Sequence, residues 1–79
     1  MPRYYFRVID ELDCPDDEGA ELPSLEAART RAGSALLGML AENVTHTGRV
    51  LLSHRIEIED HQRVAVATVY LRDVVTIEP

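Results

Sequence analysis

One helical stretch flanked on both sides by strand-like sequence most constrains the fold of this chain. From Ser24 onward, apolar residues fall on one side of a helix with about 100° per residue, and polar residues fall on the other. The apolar positions are Leu25, Ala28, Ala32, Ala35, Leu36, Met39 and Leu40. Pro23 ends the preceding segment, Ser24 suits a helix N-cap, and Gly33 and Gly38 lie off the stripe. The pattern predicts one amphipathic helix that ends near Val44.

Aromatic and β-branched residues predict strands before and after this helix. RYYFRVI (3–9) is typical of a strand, and a polar connection over 10–19 leads to a short antiparallel strand at 20–22. After a loop at 45–49, the runs VLLSHRIEIE (50–59) and RVAVATVYL (63–71) predict a hairpin. With no second helix, we expect a single α+β domain over 1–79. Its order is ββαββ, a four-stranded, mainly antiparallel sheet with the helix packed on one face.

Strand alternation gives an expected core and an expected exposed face. The expected core between helix and sheet comprises Tyr4, Phe6, Val8, Leu22, Leu25, Ala28, Ala32, Leu36, Met39, Leu40, Ile56, Ile58, Val64 and Val66. If Val64, Val66 and Tyr70 face the helix, the intervening residues face the other way. That gives a candidate interface of Tyr5, Ile9, Leu51, Ala65, Ala67, Val69 and Leu71.

An apolar face of this kind predicts a homodimer, because exposed apolar patches mark interfaces. A second copy would also supply stability to a chain of 79 residues that has one cysteine and so no internal disulfide. Two alternatives stay open at this point. Both faces of the last strand are simply tolerated, or the segment RDVVTIEP (72–79) folds back over the patch.

Charge and composition disfavour several function classes. The chain carries 14 acidic residues and eight basic residues, all arginine, for a net charge of −6, which disfavours nucleic-acid binding. Cys14 is the only cysteine, which favours a reducing compartment. No apolar run of about 20 residues is present to span a membrane, nor an N-terminal signal-like run. We therefore expect a cytoplasmic protein.

The acidic segment DDEG (16–19) does not match a calcium-binding loop. With Gly19 at the sixth loop position, Cys14 falls on the first ligand position and Leu25 on the twelfth. A solvated turn is the simpler interpretation.

The remaining polar residues form no recognisable reactive group. Cys14 with His46, His54 and His61 has no zinc-site spacing, and the acids around Cys14 disfavour a thiolate nucleophile. No phosphate loop or nucleophile elbow is present. We predict no catalytic, cofactor or metal residue, and no enzymatic activity.

Three blocks carry a resemblance. MPRYYFRV, DDEGAELPSLEAARTRA and IEIEDHQRVAVATVYL resemble a family of small bacterial proteins, mostly alphaproteobacterial, catalogued only as a domain of unknown function. The family typically has an Asp-Glu-Asp-Gly-Arg-like turn at 59–63, so the turn geometry here is expected to differ. That family implies no activity.

A more distant similarity concerns the helix. SLEAARTRAGSALLGML resembles the helix of HicB-type antitoxins, which share the strand and helix order. The chain lacks that family's Pro-Asp-Leu-Pro-Gly-Cys segment, and we expect no DNA-binding module after Pro79. Our leading hypothesis is a non-enzymatic protein-interaction module that forms a homodimer. The runner-up is a HicB-like regulator that masks a partner protein, and an unrecognised enzyme or ligand binder comes third.

Overall fold

The protein is an antiparallel sheet with one long helix packed across one face, which confirms the predicted α+β class. The computed structural model describes residues 1–76 and Glu78. Its strands are β1 (Arg3–Ile9), β2 (Asp13–Cys14), β3 (Ala20–Glu21), β4 (Arg55–Glu59) and β5 (Ala65–Tyr70), and its helices are α1 (Leu25–Thr47) and α2 (Leu71–Val74). The order across the sheet is β2-β1-β4-β5, and β3 pairs with the other end of β1.

A side-chain cap begins α1, and a left-handed glycine ends it. The Ser24 side chain accepts a hydrogen bond from the Ala27 N–H at 3.1 Å, as expected of an N-cap. The helix continues to Thr47, one turn beyond the predicted end at Val44, and stops at Gly48, whose φ of 70° is left-handed. The hydroxyl of Thr47 donates to a carbonyl one turn earlier, at 2.8 Å, so a residue of low helix propensity is held in the last turn.

The core lies between α1 and the middle of the sheet. Its buried members are Ala28, Ala32, Leu36, Ile56, Ile58, Val69 and Leu71. Half-buried around them are Tyr4, Phe6, Val8, Leu22, Leu25, Met39, Leu40, Ala67, Val74 and Val75. The predicted stripe on α1 is correct except at two positions. Ala35 is exposed. Gly33 is buried, because Val74 of α2 packs against it.

The predicted orientation of β5 is wrong. Val64 and Val66 are 55% and 42% exposed, whereas Val69 and Leu71 are 9% and 1% exposed, in the core under the helix. Val69 pairs with Ile56 and Ala67 with Ile58, so these residues share the helix-facing side with the buried residues of β4. A β-bulge between Ile58 and Glu59 shifts the register, and Val66 is the extra residue. Ala67, Val69 and Leu71 therefore do not lie on the far face.

The hairpin strands are shorter than predicted at both outer ends. Residues 50–54 form a turn before β4, in which the His54 N–H donates to the Leu51 carbonyl at 3.2 Å. Beyond Tyr70 the chain enters α2, and Val74 and Val75 pack against the core on the helix side of the sheet. Through Val75, the segment 72–79 thus does not cover the far face. Ile77 and Pro79 of this segment lie outside the described residues.

Candidate functional site

The far face of the sheet, opposite α1, carries an ionic network rather than an apolar patch. Arg7 pairs with Asp13 at 2.6 Å and with Glu59 at 3.6 Å, and Arg63 pairs with Glu59 at 3.1 Å. The Arg63 guanidinium also lies over the ring of Tyr5. Glu59 is buried beneath this network, which satisfies its charge on both carboxylate oxygens. A face of this composition is suited to contact with water.

The pKa values of Arg7 and Asp13 are shifted in the directions expected of an ion pair. The hydrogen bonds that Arg7 donates to the Asp13 carboxylate raise the pKa of Arg7 above its ordinary value and lower the pKa of the Asp13 carboxyl group. Both groups are therefore ionised at neutral pH, and the network holds its own charges in place.

The seven residues of the predicted interface do not come together as one surface. Tyr5, Ile9 and Ala65 lie on the far face, where they are interspersed with the charged residues. Leu51 lies in the turn before β4, in the wall of a separate cavity. The other three, Ala67, Val69 and Leu71, pack in the core. These seven residues therefore form no common apolar surface on the far face.

The outer edge of β5 is the open surface of the sheet. Within the described residues, β5 pairs only with β4. The Leu71 N–H donates to the His54 carbonyl at 2.9 Å, and the direction of backbone groups alternates along an antiparallel pair. The N–H and C=O groups of Thr68 and Tyr70 therefore point away from β4. This edge contains no charged residue and no proline from Ala65 to Tyr70.

A groove of about 400 Å³ runs beside this edge, between β5, α1 and α2. It is lined by Val69 of β5, by Gly33 and Leu37 of α1, and by Val74 of α2. Leu37 is 44% exposed. Among the described residues that line the groove, Arg29 is the only charged one. Strand edge and groove thus form one continuous, mainly apolar surface, here named the β5 surface.

Sequence reasoning missed the residues of α1 and α2 on this surface. Leu37 falls one residue past the core position Leu36, and Gly33 was placed off the stripe. The available signal was the pair of small residues Gly33 and Ser34 next to Leu37, since small side chains leave a furrow between helix and neighbour. Val74 could not be assigned, because α2 was not predicted.

The acidic segment at 16–19 is a structural turn. The Asp16 carboxylate accepts hydrogen bonds from the N–H groups of Phe6, Glu18 and Gly19, at 3.1, 3.1 and 3.2 Å. Partial burial disfavours the charged form, but these three hydrogen bonds outweigh burial and hold the pKa of Asp16 below its ordinary value. The segment thereby fastens the connection to β1.

The other candidate groups stay apart. Cys14 is exposed on β2, His46 lies in the last turn of α1, and His61 lies at the tip of the β4–β5 hairpin. Within residues 1–76 and Glu78, no three His, Cys, Asp or Glu side chains are grouped to hold a metal ion. None of the described helices is long and apolar enough to cross a membrane.

Comparison with known proteins identifies a family but no characterised relative. The family model described as Domain of unknown function (DUF6894) matches residues 3–72, and the chain therefore belongs to that family. No curated protein and no solved structure matches the chain.

Proposed function

We propose that this member of the DUF6894 family is a non-enzymatic interaction module that forms a homodimer by pairing β5 with β5 of a second copy. The observation that supports the proposal is the β5 surface, a strand edge without charge or proline next to an apolar groove. Soluble proteins usually protect such an edge with charges, proline or a covering element, because an open edge adds strands from other chains. An unprotected edge is therefore expected to have a strand partner.

The composition of β5 favours a second copy as that partner. An antiparallel pair with its two-fold axis beside Thr68 places Thr68 against Thr68 and Ala67 against Val69 of the other copy. The outward N–H of Thr68 can donate to the Thr68 carbonyl of the second copy, and the outward carbonyl of Thr68 can accept from the N–H of that copy. The same strand therefore supplies both the donor and the acceptor. On the helix side, small Ala67 lies opposite Val69, which lets the two grooves approach each other.

Charge also favours self-pairing at this surface. Each copy has a net charge of −6, so two copies repel across most of their surfaces. β5 contributes no acidic group, and Arg29 and Arg72 lie beside it. Pairing there would cover Leu37 and Val66, which are 44% and 42% exposed. The absence of acidic side chains on β5 therefore lowers the electrostatic cost of bringing two acidic copies together there.

The test is sedimentation velocity on the wild type, on Thr68→Lys and on Thr68→Glu at high micromolar concentration. We expect a wild-type dimer and two monomeric variants, because like charges would meet at the two-fold axis. An equimolar mixture of the two variants should recover a dimer. Thr68 lies opposite Glu57 on β4, so lysine at this position gains a partner within the monomer and should not disturb its fold.

Thr45→Lys is the matched control, because Thr45 is exposed near the end of α1 and outside the β5 surface. It should dimerise as the wild type does. A wild type that stays monomeric, or a Thr68→Lys variant that stays dimeric, would refute the proposal. A monomeric wild type whose β5 edge instead captures a strand of a different protein would also refute it and favour the HicB-like alternative.

A further inference from the structure

A second cavity lies at the opposite end of α1 from its N-cap and has no residue in common with the β5 surface. Its volume is about 320 Å³. Three segments meet there, namely the connection after β1 (10–12), the last turns of α1, and the turn before β4. It is here named the His54 cavity.

His54 is a buried polar side chain at this cavity. It is 6% exposed and lines the cavity wall. Its backbone groups are bonded to Leu51 and Leu71, but its imidazole ring makes no hydrogen bond to any residue that the structure describes. None of the buried side-chain nitrogen or oxygen atoms that the structure describes lacks a hydrogen-bond partner, so a ring nitrogen that makes no bond within the protein stays accessible from the cavity that His54 lines.

The other polar groups of the cavity make its electrostatic character mainly negative. Asp10 uses one carboxylate oxygen to accept the Leu12 N–H at 2.7 Å, which leaves the second oxygen free of that bond. Glu11 adds a second carboxylate, and the negative end of the α1 dipole lies beside both. Thr47 is already bonded to Asn43 and Arg49. Arg49 is the one arginine among the described residues of the lining.

We propose that the His54 cavity binds a small organic cation, a protonated amine on a short aliphatic chain. The ammonium group donates to the carboxylates of Asp10 and Glu11, and a second polar group of the ligand reaches a ring nitrogen of His54. The aliphatic chain lies against Leu12 and Leu51. A metal ion does not fit, since the carboxylates and the imidazole are not grouped closely enough to ligate one.

The test uses three probes of equal chain length with different charge. Diaminobutane carries two ammonium groups, butanediol is neutral, and succinate carries two carboxylates. The readout is NMR titration of the wild-type protein, followed at the His54 ring and at the Asn43 side-chain amide. We expect saturable shifts at both positions with diaminobutane and none with the other two probes. Equal shifts with all three, or a preference for succinate, would overturn the proposal.

Variants separate this site from general attraction of cations to an acidic protein. Asp10→Asn combined with Glu11→Gln should weaken diaminobutane binding by roughly tenfold or more, because it removes two charge-assisted hydrogen bonds. Asp10→Asn keeps an oxygen for the Leu12 N–H, so the turn should persist. Asp17→Asn, in an exposed position outside the cavity, is the matched control and should bind as the wild type does. Equal weakening by Asp17→Asn would mean non-specific attraction and would refute the site.

Arg49→Gln tests the sign of the cavity independently. Removal of this arginine should tighten diaminobutane binding. Weaker binding in Arg49→Gln would show that the ligand brings a negative group, and the proposal would be wrong.

Discussion

The guanidinium of Arg63 lies 3.9 Å from the centroid of the Tyr5 ring, although the Arg63 backbone has the left-handed φ of 66°. The same side chain pairs with buried Glu59. The Asp60 carboxylate fixes the turn by accepting the N–H groups of Gln62 and Val64, at 2.9 and 3.0 Å. Backbone strain at one residue is thus offset by two contacts of its own side chain.

Arg63 therefore combines an unfavourable backbone with a favourable side chain, and two substitutions separate these effects. Arg63→Ala removes both contacts and keeps the left-handed backbone, so it should be the less stable variant. Arg63→Gly removes the same contacts but adopts this φ freely, and should be more stable than Arg63→Ala by about 1 kcal/mol. Urea unfolding of the two variants measures the difference. A more stable Arg63→Ala would contradict the left-handed backbone.

Asp16 should stabilise the fold only in its ionised form. Asp16→Asn keeps one acceptor oxygen but directs an amide N–H toward one of the three donors, which should cost about 1–2 kcal/mol at neutral pH. Asp17→Asn is the control, since Asp17 is exposed and its side chain makes no described hydrogen bond. Urea unfolding compares the three proteins.

The pH dependence has a definite sign. The folded pKa of Asp16 is lowered, so its contribution is complete above the ordinary carboxyl pKa of about 4 and is lost as the pH falls through the lowered folded value. The stability gap between the wild type and Asp16→Asn should therefore narrow in acid. A gap that is constant from neutral pH to pH values below the folded pKa would contradict the role of the carboxylate.

Two glycines of α1 should respond oppositely to alanine. A Cβ at Gly38 meets nothing within 4 Å, so Gly38→Ala should stabilise the protein by about 0.8–1 kcal/mol through helix propensity. A Cβ at Gly33 would lie 3.3 Å from the Val74 Cγ1 atom, so Gly33→Ala should gain less or lose stability. Thermal unfolding of both variants checks the order. Equal gains would mean that α2 does not pack on Gly33.

Leu36 should be the most sensitive position on α1. Its side chain is fully buried, and Leu36→Ala should destabilise the protein by about 2–5 kcal/mol. Leu12→Ala makes the same chemical change at a side chain that is 72% exposed and should have little effect. Circular dichroism during urea unfolding reports both. Similar stabilities for the two variants would show that the buried face of α1 is assigned wrongly.

Patterns within single elements predicted most of the fold. The helix and its Ser24 cap, the first strand and the buried Ile56 and Ile58 follow from local periodicity and were correct. The orientation of β5 did not follow, because its two alternating sets are both apolar and either could fill the core. One extra residue, Val66, decides between them, and a bulge depends on pairing with β4 rather than on β5 itself.

The candidate surfaces were less predictable than the fold. The β5 surface combines residues from α1, β5 and α2, and the His54 cavity combines a loop, a helix end and a turn. Each residue is ordinary in its own segment. Only the way the segments pack makes these residues neighbours, and no spacing along the chain encodes that packing.

The position of β1 in the sheet has a consequence for synthesis on the ribosome. Phe6 of β1 pairs with Ile58 of β4. The longest strand partner of β1 is therefore translated about fifty residues after β1 itself. Until β4 has left the exit tunnel, one edge of β1 has no strand to join, while α1 is already complete. We expect the nascent chain to hold a helix with an uncovered apolar side from the completion of α1 at Thr47 until β4 and β5 are available to cover it. Contacts between distant residues also slow folding. Chaperone binding should thus depend on how quickly the final hairpin is translated.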